Sequence, residues 1–232
     1  MRTEPGRGEA RHKPVMTSHP DGVAGWLERI RQFLRPGNME SMQALLAAVD
    51  AKDSYTRQHS INVACYSEAI GRRVRLPAAK LRTLQAAALL HDVGKIGIPD
   101  RILNKPGPLA PDEFEVMQRH PRIALDILLP MRFLINHRPI VLYHHERYDG
   151  RGYPGRLVGE TIPIEARILA IADAVDTMLS PRPYKRAFSL DETRAEIMSE
   201  SGRQFDPFLA GLTLAWLDES DVAASLQPAA AL

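Results

Sequence analysis

Apolar residues recur every three or four positions along most of this chain, which is the spacing of one face of an α-helix. Hardly any stretch alternates with the period of two that indicates a β-strand. The pattern predicts helices over, in chain order, Val23 to Leu34, 40–49, 56–74, 77–91, 111–120, 135–145, 164–179, 190–202 and 207–218. The predicted fold class is all-α.

Prolines, glycines and capping residues predict where these helices begin and end. Pro77 occupies a position typical of the first helical residue, and Ser189 with Glu192 forms the S-x-x-E pattern of a capping box. The segment 94–111 contains four prolines and three glycines and is predicted to be a loop. An amphipathic helix near the N-terminus fits either docking on the main body or pairing with a second chain, so a homodimer is one prediction.

The changes in composition predict four regions. Residues 1–20 lack apolar periodicity and are predicted to be a disordered tail, and residues 221–232 a flexible C-terminal tail. Between them, the segment 21–49 is predicted to form short N-terminal helices and the segment 50–220 the catalytic domain.

Composition excludes several classes of protein. The 30 basic residues nearly balance the 28 acidic ones, so the charge does not call for DNA as a partner. The one cysteine, Cys65, cannot form an internal disulfide and is predicted to be a buried bystander. The N-terminus lacks the apolar core of a signal peptide, and no stretch approaches the roughly twenty apolar residues of a membrane span. The predicted location is the cytoplasm.

Two motifs with adjacent ligand-type residues carry the chemistry: HDVGK at His91-Asp92, and YHHERYDGRGYP at His144-His145. A histidine beside a carboxylate can bind one metal ion while the carboxylate bridges to a second. The full series of candidate metal ligands is His59, His91, Asp92, His120, His144, His145 and Asp173.

The spacing of this series strengthens the prediction of a shared site. The intervals are 32 residues from His59 to His91, 28 from Asp92 to His120, 24 from there to His144, and 28 from His145 to Asp173. Each interval is about one helical hairpin, so successive ligands can return to the same end of a helical bundle.

Each candidate also has a simpler explanation. His59 could be an ordinary core or surface histidine, and His120, which precedes a proline, could merely close a helix. Asp173 lies among apolar neighbours, where a carboxylate needs a partner charge or a metal. Asp176 is a rival on an adjacent face of the same helix, and His137, outside any motif, is predicted to lie at the surface.

Taken together, these motifs resemble the HD-GYP family of cyclic-di-GMP phosphodiesterases, a branch of the HD metallohydrolase superfamily. The resemblance covers residues 50–215 and implies an HD-domain helical bundle, here with a short N-terminal helical extension. It also implies two divalent metals, most often iron or manganese, and the nitrogen and carboxylate ligands suit nickel or zinc as well. By position, His59, His91, Asp92 and Asp173 would hold one metal, and Asp92, His120, His144 and His145 the other.

Further roles follow from the same resemblance. Lys95 would contact the phosphate or the leaving oxygen, and Arg182 and Lys185 the phosphates of the ligand. Tyr153 would either stack on a guanine base or brace its loop, which in the family is a contact surface for cyclic-di-GMP synthases. Some members place a glutamate four residues before the first histidine to hold a third metal; here that residue is Tyr55, which favours a dinuclear site.

The predicted function is hydrolysis of cyclic-di-GMP to linear pGpG and further to GMP, with Asp92 and Lys95 as catalytic residues. One alternative is an enzyme for another cyclic dinucleotide, such as 3′,3′-cyclic GMP-AMP, or a nucleotide phosphohydrolase like other HD proteins. A second is a non-catalytic signalling module that binds a dinucleotide or a protein; the complete ligand series argues against it.

Overall fold

The computed structural model describes residues 36–52, 56–181 and 186–219. Within them the α-helices are α1 Pro36–Lys52, α2 Thr56–Arg73, α3 Ala78–Leu90, α4 Asp100–Leu103, α5 Pro111–Met117, α6 His120–Leu128, α7 Arg138–Tyr143, α8 Ile164–Leu179, α9 Leu190–Ser199 and α10 Pro207–Leu217. Short 3-10 helices cover Val93–Gly97, Arg132–Leu134 and Gly159–Thr161. The described residues form no β-strand, only an isolated β-bridge between Ser201 and Phe205, which confirms the all-α prediction.

The centre of the fold is a bundle in which α2 packs on both α3 and α8. The faces that meet consist of fully buried aliphatic side chains, among them Ile70, Leu84, Leu90, Ile168 and Val175. Burial of such side chains is the main stabilising contribution to a helical bundle. Each of these three helices carries a ligand-type residue or is directly followed by one, so the packing of the core also positions the site.

Helix α1 supports the motif that follows α3. Met42 and Val49 of this helix are 1% and 3% exposed and belong to the core. Its last residue, Lys52, donates a hydrogen bond of 2.7 Å to the carbonyl of Ile96 in the 3-10 helix Val93–Gly97. The predicted boundary between the N-terminal helices and the catalytic domain, at residue 50, falls inside this helix, and the division into domains stays a prediction.

Several predicted boundaries were wrong. The segment 94–111 is not one loop, because the chain turns into a 3-10 helix at Val93–Gly97 and α4 begins directly after Pro99, whose fixed φ suits a helix start. Pro77 is the residue before α3 and has an extended ψ of 144°, so it is not the first helical residue. The helix predicted over 135–145 is confined to α7, since Pro139 fits only in a first turn.

His137 was also placed wrongly at the surface. It is 9% exposed, and it precedes α7 in a segment that packs on the core. Other predictions were accurate: α8 covers the predicted residues, and Ser189 and Glu192 form the reciprocal bonds of a capping box. The predicted helix at 23–34 and both predicted tails lie outside the described residues. Among the described helices, none has the length and apolar character to cross a membrane.

Candidate metal centre

The seven predicted ligands lie on different elements and converge at one end of the bundle. His59 lies in α2, His91 and Asp92 directly follow α3, and His120 is the first residue of α6. His144 and His145 directly follow α7, and Asp173 lies in the middle of α8. We call these seven residues the histidine–aspartate cluster.

The cluster divides into two groups that share Asp92. The ligand atoms of His59, His91 and Asp173 all lie within 4.8 Å of one another, as do those of His120, His144 and His145. The Oδ2 atom of Asp92 is 3.4 Å from Nε2 of His91, and its Oδ1 atom is 3.5 Å from Nε2 of His120. One carboxylate oxygen therefore faces each group, as a bridging ligand requires.

Three of the histidines are oriented by main-chain carbonyls. Each ring donates from Nδ1 to the carbonyl three residues earlier, at 2.7 Å for His91 to Ala88, 2.8 Å for His120 to Met117 and 2.7 Å for His144 to Val141. These carbonyls belong to helix ends, where the main chain lacks its usual partners. With Nδ1 as the donor, the lone pair of Nε2 points into the cluster. Nε2 of His91 is buried there without a hydrogen-bond partner in the structure.

His59 is oriented by a carboxylate instead. Its Nδ1 atom lies 2.7 Å from Oδ2 of Asp176, and its Nε2 atom lies 3.3 Å from Oδ1 of Asp173. Asn62 donates a second bond of 2.7 Å to the other oxygen of Asp176. The rivalry between Asp173 and Asp176 is resolved by geometry, because Asp173 faces the cluster and Asp176 lies behind His59.

Burial keeps several of the cluster histidines neutral. It lowers the pKa of His120 to about 4 and that of His145 to about 3. Burial also lowers the pKa of His144 well below its usual value. Neutral imidazole is the form that binds metal ions, so these rings are ready to act as ligands near neutral pH.

His59 and Asp92 are shifted in the opposite sense, toward their charged forms. Burial by itself would lower the pKa of His59, but hydrogen bonds to Asp173 and Asp176 raise it to about 10. Burial would raise the pKa of Asp92, yet the positive charge of Lys95 holds it well below its usual value. A divalent cation would compete with the proton of His59 for the same nitrogen and would take up the charge of Asp92.

Lys95 lies at the edge of the cluster. Its Nζ atom donates a bond of 2.6 Å to Oδ2 of Asp92, and a quarter of its side chain is exposed. The 3-10 helix Val93–Gly97 brings the lysine to the side of the carboxylate that follows His91. Its predicted role in phosphate contact is not tested by this geometry.

The glycine-rich loop, residues 146–158, packs against His145. The buried carboxylate of Glu146 accepts hydrogen bonds from the main-chain amides of Gly155 and Leu157, the latter at 3.0 Å. The ring of Tyr153 lies 4.9 Å from that of His145 at 30°, and Phe114 meets Tyr153 edge-on at 6.3 Å. Tyr153 thus has neighbours on two sides, which favours the bracing role over stacking on a base.

Glycines permit the close approaches around the cluster and the loop. A Cβ on Gly94 would lie 1.9 Å from the carbonyl oxygen of His120, and one on Gly152 would lie 2.3 Å from the amide of Arg147. Gly150 has a φ of +78°, which other residues rarely adopt. These two loop glycines therefore act differently, Gly150 through its φ and Gly152 through the space it leaves.

A cavity of about 280 Å³ opens beside the cluster. Its walls include three cluster residues, His144, His145 and Asp173, together with apolar side chains such as Met178 and Phe188. The volume is sufficient for part of a nucleotide, and the open side gives access to the candidate ligands.

Some predicted site residues cannot be placed. Arg182 and Lys185 lie outside the described residues, as does Tyr55, the residue at the position of the third-metal glutamate. Conversely, sequence reasoning missed the roles of Glu146, Asn62 and Asp176. The signal for Asp176 was its spacing of three from Asp173, and for Asn62 its spacing of three from His59, because residues three apart share a helix face. Glu146 stands inside the HHE motif, but the two loop amides it binds are not visible in any spacing.

Comparison with known proteins gives consistent matches. The family described as HD domain matches residues 12–209. The chain is 44% identical over 170 residues to the cyclic di-GMP phosphodiesterase response regulator RpfG of Xanthomonas campestris pv. campestris, a match that covers 72% of this chain and 45% of that protein. It is 39% identical over 188 residues to the 3′3′-cGAMP-specific phosphodiesterase 2 of Vibrio cholerae, a match that covers 80% of this chain and 36% of that protein. The chain thus spans less than half the length of either relative.

A solved structure of similar fold is described as a cyclic GMP-AMP specific phosphodiesterase of Vibrio cholerae (V-cGAP3). It superposes with a TM-score of 0.63 over 82% of this chain and 51% of the other, at 22% sequence identity. At this identity the match supports the arrangement of helices and nothing finer.

Proposed function

Because the chain belongs to the HD domain family, we propose that it is a metal-dependent phosphodiesterase that hydrolyses cyclic di-GMP to linear pGpG. Relatives that are 40–44% identical over most of this chain carry the name cyclic di-GMP phosphodiesterase. The single observation that carries the proposal is the convergence of the seven predicted ligands, with one oxygen of Asp92 facing each group.

The residues fit a pair of divalent metals. His59, His91, Asp92 and Asp173 would hold one, and Asp92, His120, His144 and His145 the other. Neutral imidazoles and ionised carboxylates without a thiolate suit iron or manganese, and nickel or zinc as well. Bound there, two such ions would lower the pKa of water and neutralise phosphate charge.

The chain's own residues would orient the substrate around this centre. Lys95 is placed beside Asp92 with part of its side chain exposed, so its ammonium group can reach a phosphate oxygen or the leaving oxygen. The cavity next to His145 and Asp173 would take part of one nucleotide unit of the ring. Arg182 and Lys185 are proposed as further phosphate contacts because of their positions in the motif, and the glycine-rich loop as a contact for a cyclic-di-GMP synthase.

A second candidate substrate is 3′,3′-cyclic GMP-AMP. The observation in its favour is the relative in Vibrio cholerae, which carries that specificity in its name and matches 80% of this chain. A non-catalytic signalling module is less well supported, because the whole predicted ligand set is present and converges.

The test is turnover by the anaerobically purified chain with Mn(II) or Fe(II), with cyclic di-GMP, 3′,3′-cyclic GMP-AMP and linear pGpG as separate substrates. We expect cleavage of cyclic di-GMP that Asp92→Ala abolishes. Asp126→Ala, which removes an exposed carboxylate on α6, is the matched control and should retain full turnover. Two bound metals with cleavage of 3′,3′-cyclic GMP-AMP only would transfer the assignment to that substrate. Two bound metals without any turnover would contradict the enzymatic proposal.

A further inference from the structure

The histidines of the cluster are not supported alike. Three of them, His91, His120 and His144, donate from Nδ1 to a main-chain carbonyl. His59 donates instead toward the carboxylate of Asp176, which is 1% exposed. A carboxylate behind a ligating imidazole fixes the ring and increases its basicity, and such partners change metal affinity by roughly 10–100-fold.

Asp176 is itself held firmly. Asn62, one turn after His59 on α2, donates to Oδ1 of Asp176 at 2.7 Å, and Gln58 donates to Asn62 at 2.8 Å. Ser180 adds a longer bond of 3.3 Å to the same oxygen of Asp176. The remaining oxygen, Oδ2, is directed at His59. Asp176 therefore has a defined position that couples α2 to α8 at the cluster.

We infer that Asp176 is a positioning residue that acts through His59 to strengthen one of the two metal positions, the one formed by His59, His91 and Asp173, and not the other. This inference rests on the proposed metal centre, and it does not depend on which dinucleotide the enzyme cleaves. The two positions then differ in affinity for a reason built into the fold: a carboxylate supports His59 in one of them, whereas main-chain carbonyls support His120 and His144 in the other.

The test is a titration of the metal-free chain with Mn(II) against a competing chelator, together with the electron paramagnetic resonance spectrum of the bound Mn(II). For the unaltered chain we expect two bound ions with magnetic coupling between them. Asp176→Asn removes the charge and keeps the shape, so it should weaken one position about 10–100-fold and leave the other within twofold. At one equivalent of Mn(II), the unaltered chain should show a single uncoupled ion.

Double variants establish which position is affected. Asp176→Asn should add little to the loss of affinity caused by His59→Ala, because it acts through that ring. It should add fully to the loss caused by His120→Ala, which belongs to the other group. Ser180→Ala removes a weak bond to the same carboxylate without touching His59 and is the matched control, expected to change neither affinity.

Asn62→Ala provides an independent check should a double variant fail to fold. It leaves the charge of Asp176 in place but loosens it, and it should weaken the same single position by a smaller factor. Equal weakening of both positions by Asp176→Asn, or full additivity with His59→Ala, would overturn the inference. The titration contains no dinucleotide, so the two proposals fail separately. If Asp176→Asn weakens one metal position but the unaltered chain shows no turnover, the proposed function is wrong and this inference stands. If the unaltered chain turns over substrate but Asp176→Asn weakens both positions equally, this inference is wrong and the proposed function stands.

Discussion

The histidine–aspartate cluster and the glycine-rich loop meet at His144-His145, but they are held in place in opposite ways. In the cluster, main-chain carbonyls at helix ends orient side chains, as Ala88 does for His91. In the loop, side chains orient the main chain: Glu146 accepts from two amides, and Asp149 accepts from the amide of Arg151 at 3.0 Å.

This difference indicates where each region is sensitive to change. The cluster depends on the relative positions of helices, so a shift of the main chain should move several ligands at once. The loop depends on the carboxylates of Glu146 and Asp149, so a change of one charge should loosen the loop and leave the helices in place. Four substitutions test the comparison, beginning with the largest expected effect.

The largest effect is expected from Gly94→Ala in the cluster. The new Cβ would lie 1.9 Å from the oxygen of His120 and 2.6 Å from the amide of Ala124, and neither main-chain atom can rotate away. The 3-10 helix and α6 must separate, which we expect to lower the free energy of unfolding by about 3 kcal/mol. The separation also moves His120 from Asp92, so the bound metal should fall below two per chain. Urea unfolding and metal analysis measure the two effects.

Gly97→Ala is the control for that substitution. Its Cβ would meet a flexible side chain, Ile123, at 2.9 Å, so we expect a loss of about 1 kcal/mol and unchanged metal content. Equal losses for the two glycines would show that the contact between the 3-10 helix and α6 does not position the ligands.

A similar clash in the loop should cost less. Gly152→Ala would place a Cβ 2.3 Å from the amide of Arg147, which belongs to the same loop, and 2.6 Å from the oxygen of His145, so the turn must open locally but no two helices are forced apart. We expect a loss of about 2 kcal/mol in unfolding free energy, two metals still bound, and reduced turnover. Gly211→Ala, in α10 with no atom within 4 Å of the new Cβ, should instead raise the stability by about 0.5–1 kcal/mol. Loss of metal in the Gly152 variant would mean that the loop and the cluster form one unit.

These two regions also mark how far sequence reasoning reached. Most helices were predictable from the apolar periodicity of the 3.6-residue turn, and α8 was predicted to the residue, but α6 was not predicted. The convergence of the cluster was predictable because its ligands are spaced by about one helical hairpin. The support of the loop was not, because the partners of Glu146 are amides nine and eleven residues away in a segment without periodicity. The burial of His137 was missed for a related reason: it lies outside any motif, directly before the short helix α7, whose first turn contains Pro139.

A smaller effect is expected from Glu146→Gln. One amide oxygen remains where two carboxylate oxygens accepted from Gly155 and Leu157, and the charge that strengthened both bonds is lost. We expect a loss of about 1.5 kcal/mol in unfolding free energy and two metals still bound. Hydrogen exchange should speed up at the amides of the loop and stay slow in α2 and α8. Glu160→Gln, at an exposed position next to the loop, is the control and should change none of these quantities. Faster exchange throughout α8 would contradict the separation of the two regions.

The smallest effect should come from Tyr153→Phe, and it decides between the two roles of that ring. Its ring contacts, to His145 at 4.9 Å and to Phe114 at 6.3 Å, do not involve the hydroxyl. If the ring braces the loop, the phenylalanine variant should keep its stability within about 0.5 kcal/mol, whereas Tyr153→Leu should lose about 1 kcal/mol with the aromatic contacts. Both variants should then bind substrate with a nearly unchanged KM. A KM that rises tenfold in the leucine variant without a change in stability would show that the ring contacts the base instead.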